Sequence, residues 1–252
     1  MLLGLIGAGN MAGALARGLG PPLLVTDVDQ PKARALAAEV GGEALDSGRE
    51  VAERADAVVL CHKPAQLVEV AEELGGAARA VVSLLGGVSV AAVDEAYPNA
   101  PVYRFIPNIP VEVRQGVLCY SPGRRAADGP EDAILERLGG VGAIIPVPDG
   151  LVDTGMALMS CGPAFLSLVV EAMVDAGVLH GLQPDDAGRM AVETMAGTAA
   201  VLRVSDLDTK GLRRRVTSPG GSTARGLAAL ERAGVRSAFG DAVAAVVDGG
   251  RR

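Results

Sequence analysis

Leu2-Leu3-Gly4-Leu5-Ile6-Gly7-Ala8-Gly9-Asn10-Met11-Ala12 opens the chain with an apolar run that breaks at glycine and turns into a helix-prone segment. Leu2 to Ile6 reads as a strand and Met11 to Leu19 as a helix. Between them Gly7 to Ala12 has the form G-x-G-x-x-A. The first glycine permits the tight turn, the second lets backbone approach a diphosphate, and the small last residue lets helix and strand pack closely. A diphosphate would then meet the free N–H groups at the helix N-terminus, where the stretch Gly7-Ala8-Gly9-Asn10-Met11 turns into the helix. A glycine-rich turn without a ligand is the plainer alternative.

The pattern repeats outward. Leu23 to Thr26 reads as the next strand and Pro31 to Val40 as the next helix, and Ala57 to Cys61, Ala80 to Leu84 and Val102 to Phe105 read as further strands. Fully apolar runs separated by helices indicate a parallel-rich, doubly wound sheet covered on both faces, a Rossmann domain. Asp27 ends the second strand, where a carboxylate accepts from the ribose hydroxyls of NAD and repels the extra phosphate of NADP. No arginine follows at once, and Lys32 and Arg34 lie on the helix beyond. The competing role for Asp27 is to cap that helix.

After Pro148 strand-like runs stop. Ala164 to Ala176 and Asp185 to Val204 carry long helical periodicity, and the second has small residues all round. A helix with so little polar face is expected to be buried against other helices, its own or another subunit's. The expected division is a dinucleotide-binding domain over 1–149 and an all-α domain over 150–252.

Composition fits this division. Apolar residues make up 49% and aromatics 2%, so the core must be built from Ala, Val, Leu and Gly. A net charge of -7 argues against nucleic acid as partner. Cys61, Cys119 and Cys161 show no pairing rhythm and no metal spacing, which suggests reduced thiols in a cytoplasmic protein. No basic leader and no long uninterrupted apolar run is seen, so neither a signal peptide nor a membrane span is expected. The dense basic cluster Arg213-Arg214-Arg215 reads as a solvated helix end.

Further segments matter in order: Cys61-His62-Lys63-Pro64, Val81-Val82-Ser83 before Gly86-Gly87-Val88, Arg104-Phe105-Ile106-Pro107-Asn108-Ile109-Pro110, Cys161-Gly162-Pro163-Ala164-Phe165, and Val216-Thr217-Ser218-Pro219-Gly220-Gly221-Ser222-Thr223. Together they resemble the pyrroline-5-carboxylate reductase family over nearly the whole chain. The resemblance implies reduction of a cyclic imino acid by NADH or NADPH, the last step of proline synthesis. It places Cys61, His62, Lys63 and Pro64 beside the nicotinamide and Leu84, Leu85 and Gly86 in the next cofactor loop. It matches Asn108 to a cofactor-side asparagine. It gives the substrate carboxylate to the turn of Ser218, Gly220, Gly221, Ser222 and Thr223, with Thr223 near the imine nitrogen. It also implies a homodimer whose interface completes the active site, at the least, and a larger ring of dimers beyond that. The turn has a logic of its own, since glycines ahead of a helix start leave N–H groups open to an anion.

The chain departs from the family at Met159-Ser160-Cys161-Gly162-Pro163-Ala164-Phe165, where Ser-Gly-Ser-Gly-Pro-Ala-Tyr is usual. Gly48 stands where an asparagine is common, and His62 where an apolar residue is. A reductase of another cyclic imine and a non-catalytic nucleotide-sensing homologue stay open on these grounds. Cys161 reads as a packing residue and His180 as an exposed one.

Overall fold

The computed structural model describes residues 1–249; Gly250, Arg251 and Arg252 of the expected helical domain lie outside the described residues. The chain divides into two compact units, Met1–Cys161 and Gly162–Arg252.

The first unit is built on an eight-stranded sheet: β1 (Leu3–Ile6), β2 (Leu23–Thr26), β3 (Glu43–Ala44), β4 (Ala57–Leu60), β5 (Val81–Ser83), β6 (Val102–Pro107), β7 (Gly116–Pro122) and β8 (Gly142–Pro146). Their order is β3-β2-β1-β4-β5-β6-β7-β8. All pairings are parallel except β6 with β7. The helices are α1 (Asn10–Leu19), α2 (Gln30–Val40), α3 (Gly48–Arg54), α4 (Leu67–Leu74), α5 (Val90–Ala96), α6 (Glu131–Gly139) and α7 (Val152–Met159).

The strands alternate between two cores, one on each face, as period-two side chains must when both faces are covered. Leu3, Leu5, Ala57, Val59, Val82, Tyr103 and Phe105 pack with α1, α2 and α6. Ile6, Val58, Leu60, Val81 and Val102 pack with α3, α4 and α5. Small residues allow the close fit: a Cβ on Gly18 of α1 would lie within 2.1 Å of the Val111 carbonyl oxygen.

The first unit runs past Asp149, the expected domain boundary, for two reasons. Arg104 on β6, 3% exposed, pairs with Asp149 at 2.6 Å, and the same carboxylate accepts the Val90 N–H at 3.2 Å. Val152 then packs with Ile106 and Cys119, which fastens α7 to the sheet.

The second unit is all α: α8 (Gly162–Leu179), α9 (Pro184–Val204), α10 (Thr209–Arg215), α11 (Ser222–Arg232) and α12 (Val235–Gly249). α8 and α9 pack closely at Gly177, where a Cβ would lie 3.2 Å from both Ala187 Cβ and Leu182 Cδ1. Leu166, Leu168 and Met173 of α8 and Met190 and Val192 of α9 stay exposed on the unit. Asp149–Leu179 is long and apolar enough to cross a membrane by length and composition, which the sequence reading had not expected. In the structure that stretch is broken, with α7 ending at Met159 and α8 beginning at Gly162. His180 is exposed between α8 and α9, and Arg213 to Arg215 are exposed at the end of α10, as expected.

Candidate active site

The strand order reverses between β1 and β4, and in open α/β sheets ligands bind outside the strand ends at such a switch point. A cleft of about 540 Å³ lies there, lined by Ile6, Thr26 and Cys61 at the ends of β1, β2 and β4.

Gly7 and Gly9 do different work. The Gly7 N–H donates to the Thr26 carbonyl at 2.8 Å, with φ +108°, and a Cβ would sit 2.9 Å from the Cys61 carbonyl carbon. This glycine is needed for the fold. Gly9 caps α1 in extended backbone with no side-chain cap, and a Cβ there would meet nothing within 4 Å. Space open to a side chain, beside the uncapped N–H groups of Asn10, Met11 and Ala12, is room for a diphosphate.

Asp27 lines the cleft, and both carboxylate oxygens are engaged. Oδ2 accepts the Ala8 N–H at 2.6 Å and Oδ1 the Asp29 N–H at 2.9 Å. The cap of α2 is Asp29, which accepts from the Lys32 N–H at 3.4 Å. The capping role open to Asp27 thus belongs two residues later.

Cys61, His62 and Lys63 line the same cleft, and Pro64 opens the short turn that follows. Burial pushes the Cys61 thiol up to about 12, which keeps it protonated and inert. His62 Nδ1 lies 3.0 Å from the Lys63 carbonyl oxygen, while Nε2 is buried with no partner among the described residues. Desolvation lowers its pKa against the opposing pull of the Lys63 carbonyl and Glu69. A neutral ring with the proton on Nδ1 satisfies that geometry.

The other expected cofactor residues are placed apart from this cleft. The Leu84 N–H donates to the Leu60 carbonyl at 3.1 Å, Leu85 is buried, and Gly86 is exposed with open space around it. Asn108 is 6% exposed; its Nδ2 donates to the Met159 carbonyl at 2.9 Å and its Oδ1 accepts from the Val117 N–H at 2.8 Å. Its side-chain amide therefore bridges the end of α7 to β7. Asp46, Ser47, Gln66, Val70 and Glu73 line the cleft and were missed by the sequence reading. They come from three separate segments, and only Ser47, three residues before α3's Glu50, carried a local signal as a helix cap.

In the second unit Ser218 to Thr223 forms the expected turn into α11. Gly220 has φ +67°, and Gly221 caps α11 without a side-chain cap. A Cβ on Gly221 would lie 3.1 Å from the Ser218 carbonyl oxygen and closer still to its hydroxyl. Ser218 and Gly220 are exposed, as is Ser222, and the half-buried Thr223 hydroxyl has no hydrogen-bond partner among the described residues.

The fold and the phosphate loop together define a dinucleotide-dependent oxidoreductase. Residues 2–87 match the family described as NADP oxidoreductase coenzyme F420-dependent, and 149–252 match pyrroline-5-carboxylate reductase dimerisation. The chain is 32% identical to a pyrroline-5-carboxylate reductase of Corynebacterium melassecola, covering 97% of this chain and 94% of that protein. It is 34% identical to one of Methanosarcina acetivorans, over 96% and 93%. Among solved structures, a pyrroline-5-carboxylate reductase from Coxiella burnetii superposes with a TM-score of 0.88 at 28% identity, covering 99% of this chain and 97% of that one. The chain belongs to the pyrroline-5-carboxylate reductase family.

Proposed function

We propose that this protein reduces the cyclic imine 1-pyrroline-5-carboxylate to L-proline with NADH or NADPH. The observation that carries the reading is identity of 34% along 96% of the chain to a protein of that name, a span that takes in both the cleft and the Ser218–Thr223 turn.

A nicotinamide cofactor supplies hydride to the imine carbon. The protein's part is positioning. Gly9 and the amides of Asn10 and Met11 hold the diphosphate, with Gly7 and Ala8 fixing the loop. Asp27 meets the adenosine ribose, which favours NADH. His62, Lys63 and Pro64 border the cleft on the β4 side, with Leu84, Leu85, Gly86 and Asn108 supporting the neighbouring strand ends. The amides of Gly221, Ser222 and Thr223 take the substrate carboxylate on the turn shaped by Ser218 and Gly220. The Thr223 hydroxyl holds the imine nitrogen in line for reduction.

The exposed apolar side chains of α8 and α9 fit burial in a homodimer, the smallest assembly of this reading, from which a larger ring of dimers can be built. The free cysteines suit a reducing cytoplasm, and the charge of -7 suits a small-molecule substrate rather than nucleic acid. Oxidation of NADH or NADPH, followed by absorbance with pyrroline-5-carboxylate present, is the direct test. Failure to oxidise either cofactor overturns the reading.

A further inference from the structure

We propose that Glu73 helps select the dinucleotide: its carboxylate stands at the adenosine end of the cleft and disfavours a cofactor carrying a phosphate on the ribose 2′ position. The inference rests on the cofactor reading above and adds a determinant that lies outside the phosphate loop and outside β2.

Glu73 sits in the last turn of α4, exposed, and lines the cleft. Its Oε1 accepts the Gly48 N–H at 2.7 Å. Glycine leaves room for that approach: a Cβ at position 48 would lie 2.7 Å from the same oxygen and 3.0 Å from Leu74 Cδ2, and the carboxylate would have to draw back. The missing side chain at 48 therefore admits a carboxylate.

The rim is continuous from there to the ribose position. Gln30 Nε2 donates to the carbonyls of Asp27 and Asp46 at 3.1 Å each, and Asp46, Ser47 and Gly48 are consecutive. Asp27, Asp46 and Glu73 all line the cleft. Against them stand Lys32 at the same end, Lys63 at the β4 side of the cleft, and Arg34, which is drawn to Asp46 at 3.4 Å. A 2′-phosphate brings about two further negative charges to this rim. Glu73 also occupies the Gly48 N–H, a donor such a phosphate would otherwise find.

Glu73→Gln keeps an oxygen for the Gly48 N–H and removes the charge. Dissociation constants for NADH and NADPH are measured on the variant and the wild type at low and high ionic strength. The wild type is expected to bind NADH more tightly. In the variant the NADPH-to-NADH ratio of dissociation constants should fall about three- to tenfold, through tighter NADPH binding, with NADH unchanged within about twofold. The wild-type ratio should itself fall as salt screens the rim, a measurement needing no variant. A ratio that moves neither with the substitution nor with salt overturns the inference. So does an equal loss of both cofactors with a lower melting temperature, which would mark Glu73 as a cap alone. If Asp27→Ser shifts the ratio and Glu73→Gln does not, the Asp27 assignment stands and this one falls. A wild type that binds neither cofactor overturns the cofactor reading and this inference with it.

Discussion

The Asp27 carboxylate accepts the Ala8 N–H at 2.6 Å, so the end of β2 and the phosphate loop are held as one piece. An aspartate that reads the ribose from this point would serve cofactor recognition and loop order together. Asp27→Ser should therefore have two readouts. Relative use of NADPH should rise in steady-state kinetics, and stability should drop by about 1–3 kcal/mol as a charge-assisted bond is lost. A wild type that prefers NADPH tenfold or more, roughly 1.4 kcal/mol, would remove the ribose role.

The two loop glycines should separate cleanly. Gly9→Val puts a side chain into open space, so the protein should fold with its melting temperature nearly unchanged and lose NADH binding in calorimetric titration. Gly7→Val meets the Cys61 backbone at 2.9 Å with φ +108°, so it should fail to fold or melt much earlier. Equal NADH affinity in folded Gly9→Val would refute the diphosphate assignment.

Thr223→Ala removes a hydroxyl with no internal partner among the described residues, so its melting curve should stay in place. If that hydroxyl holds the imine nitrogen, kcat/KM should drop about tenfold to hundredfold, the equivalent of about 1–3 kcal/mol, with NADH affinity little changed. Full kcat/KM in the folded variant ends the catalytic assignment. A bulky residue at Gly221 should do worse, because it crowds the Ser218 carbonyl and the amides themselves.

The helical unit leaves Leu168 66% and Val192 54% exposed, apolar surface that a second copy of the chain would cover. Light scattering at micromolar concentration should return a dimer or larger, and Leu168→Asp with Val192→Asp should lower the mass towards one chain. A wild-type monomer would refute the dimer.

His62 gives a pH dependence of known sign. Its folded pKa lies below the usual 6.5 because burial opposes the charge. Between the two values the unfolded chain binds more protons, so stability is full above about 6.5 and is lost as pH falls through the folded value. NMR titration should show a midpoint below 6.5, and His62→Gln should flatten the melting temperature across that window. A midpoint above 6.5 contradicts the burial argument.

Much of the first unit was legible because its strands are mostly apolar: Leu23 to Thr26 coincides with β2, and Val102 to Phe105, interrupted by Arg104, lies within β6. β7 and β8 carry short apolar runs too, Val117 to Tyr120 and Ala143 to Ile145, which the sequence reading passed over; the antiparallel pairing of β7 with β6 is set by tertiary contact rather than by either run. β3 holds only Glu43 and Ala44, too short for any period. The turn from Gly7 to Ala12 is local in sequence, so its strand–turn–helix form was legible at once. Glu73 reaches the cleft only through the packing of α4 on α3, and the Asn108 side chain turned to Met159, 51 residues on. Neither contact leaves a trace in spacing.

The sheet ends at both sides in strands that offer a newcomer little to grip. Glu43 and Ala44 form one margin, with Glu43 tied down by Arg54. The other margin begins with Gly142 and stops at Pro146, whose nitrogen has no proton to give. Two such margins disfavour the growth of the sheet into a neighbouring molecule. A partially opened chain is thereby less prone to edge-to-edge pairing with another copy.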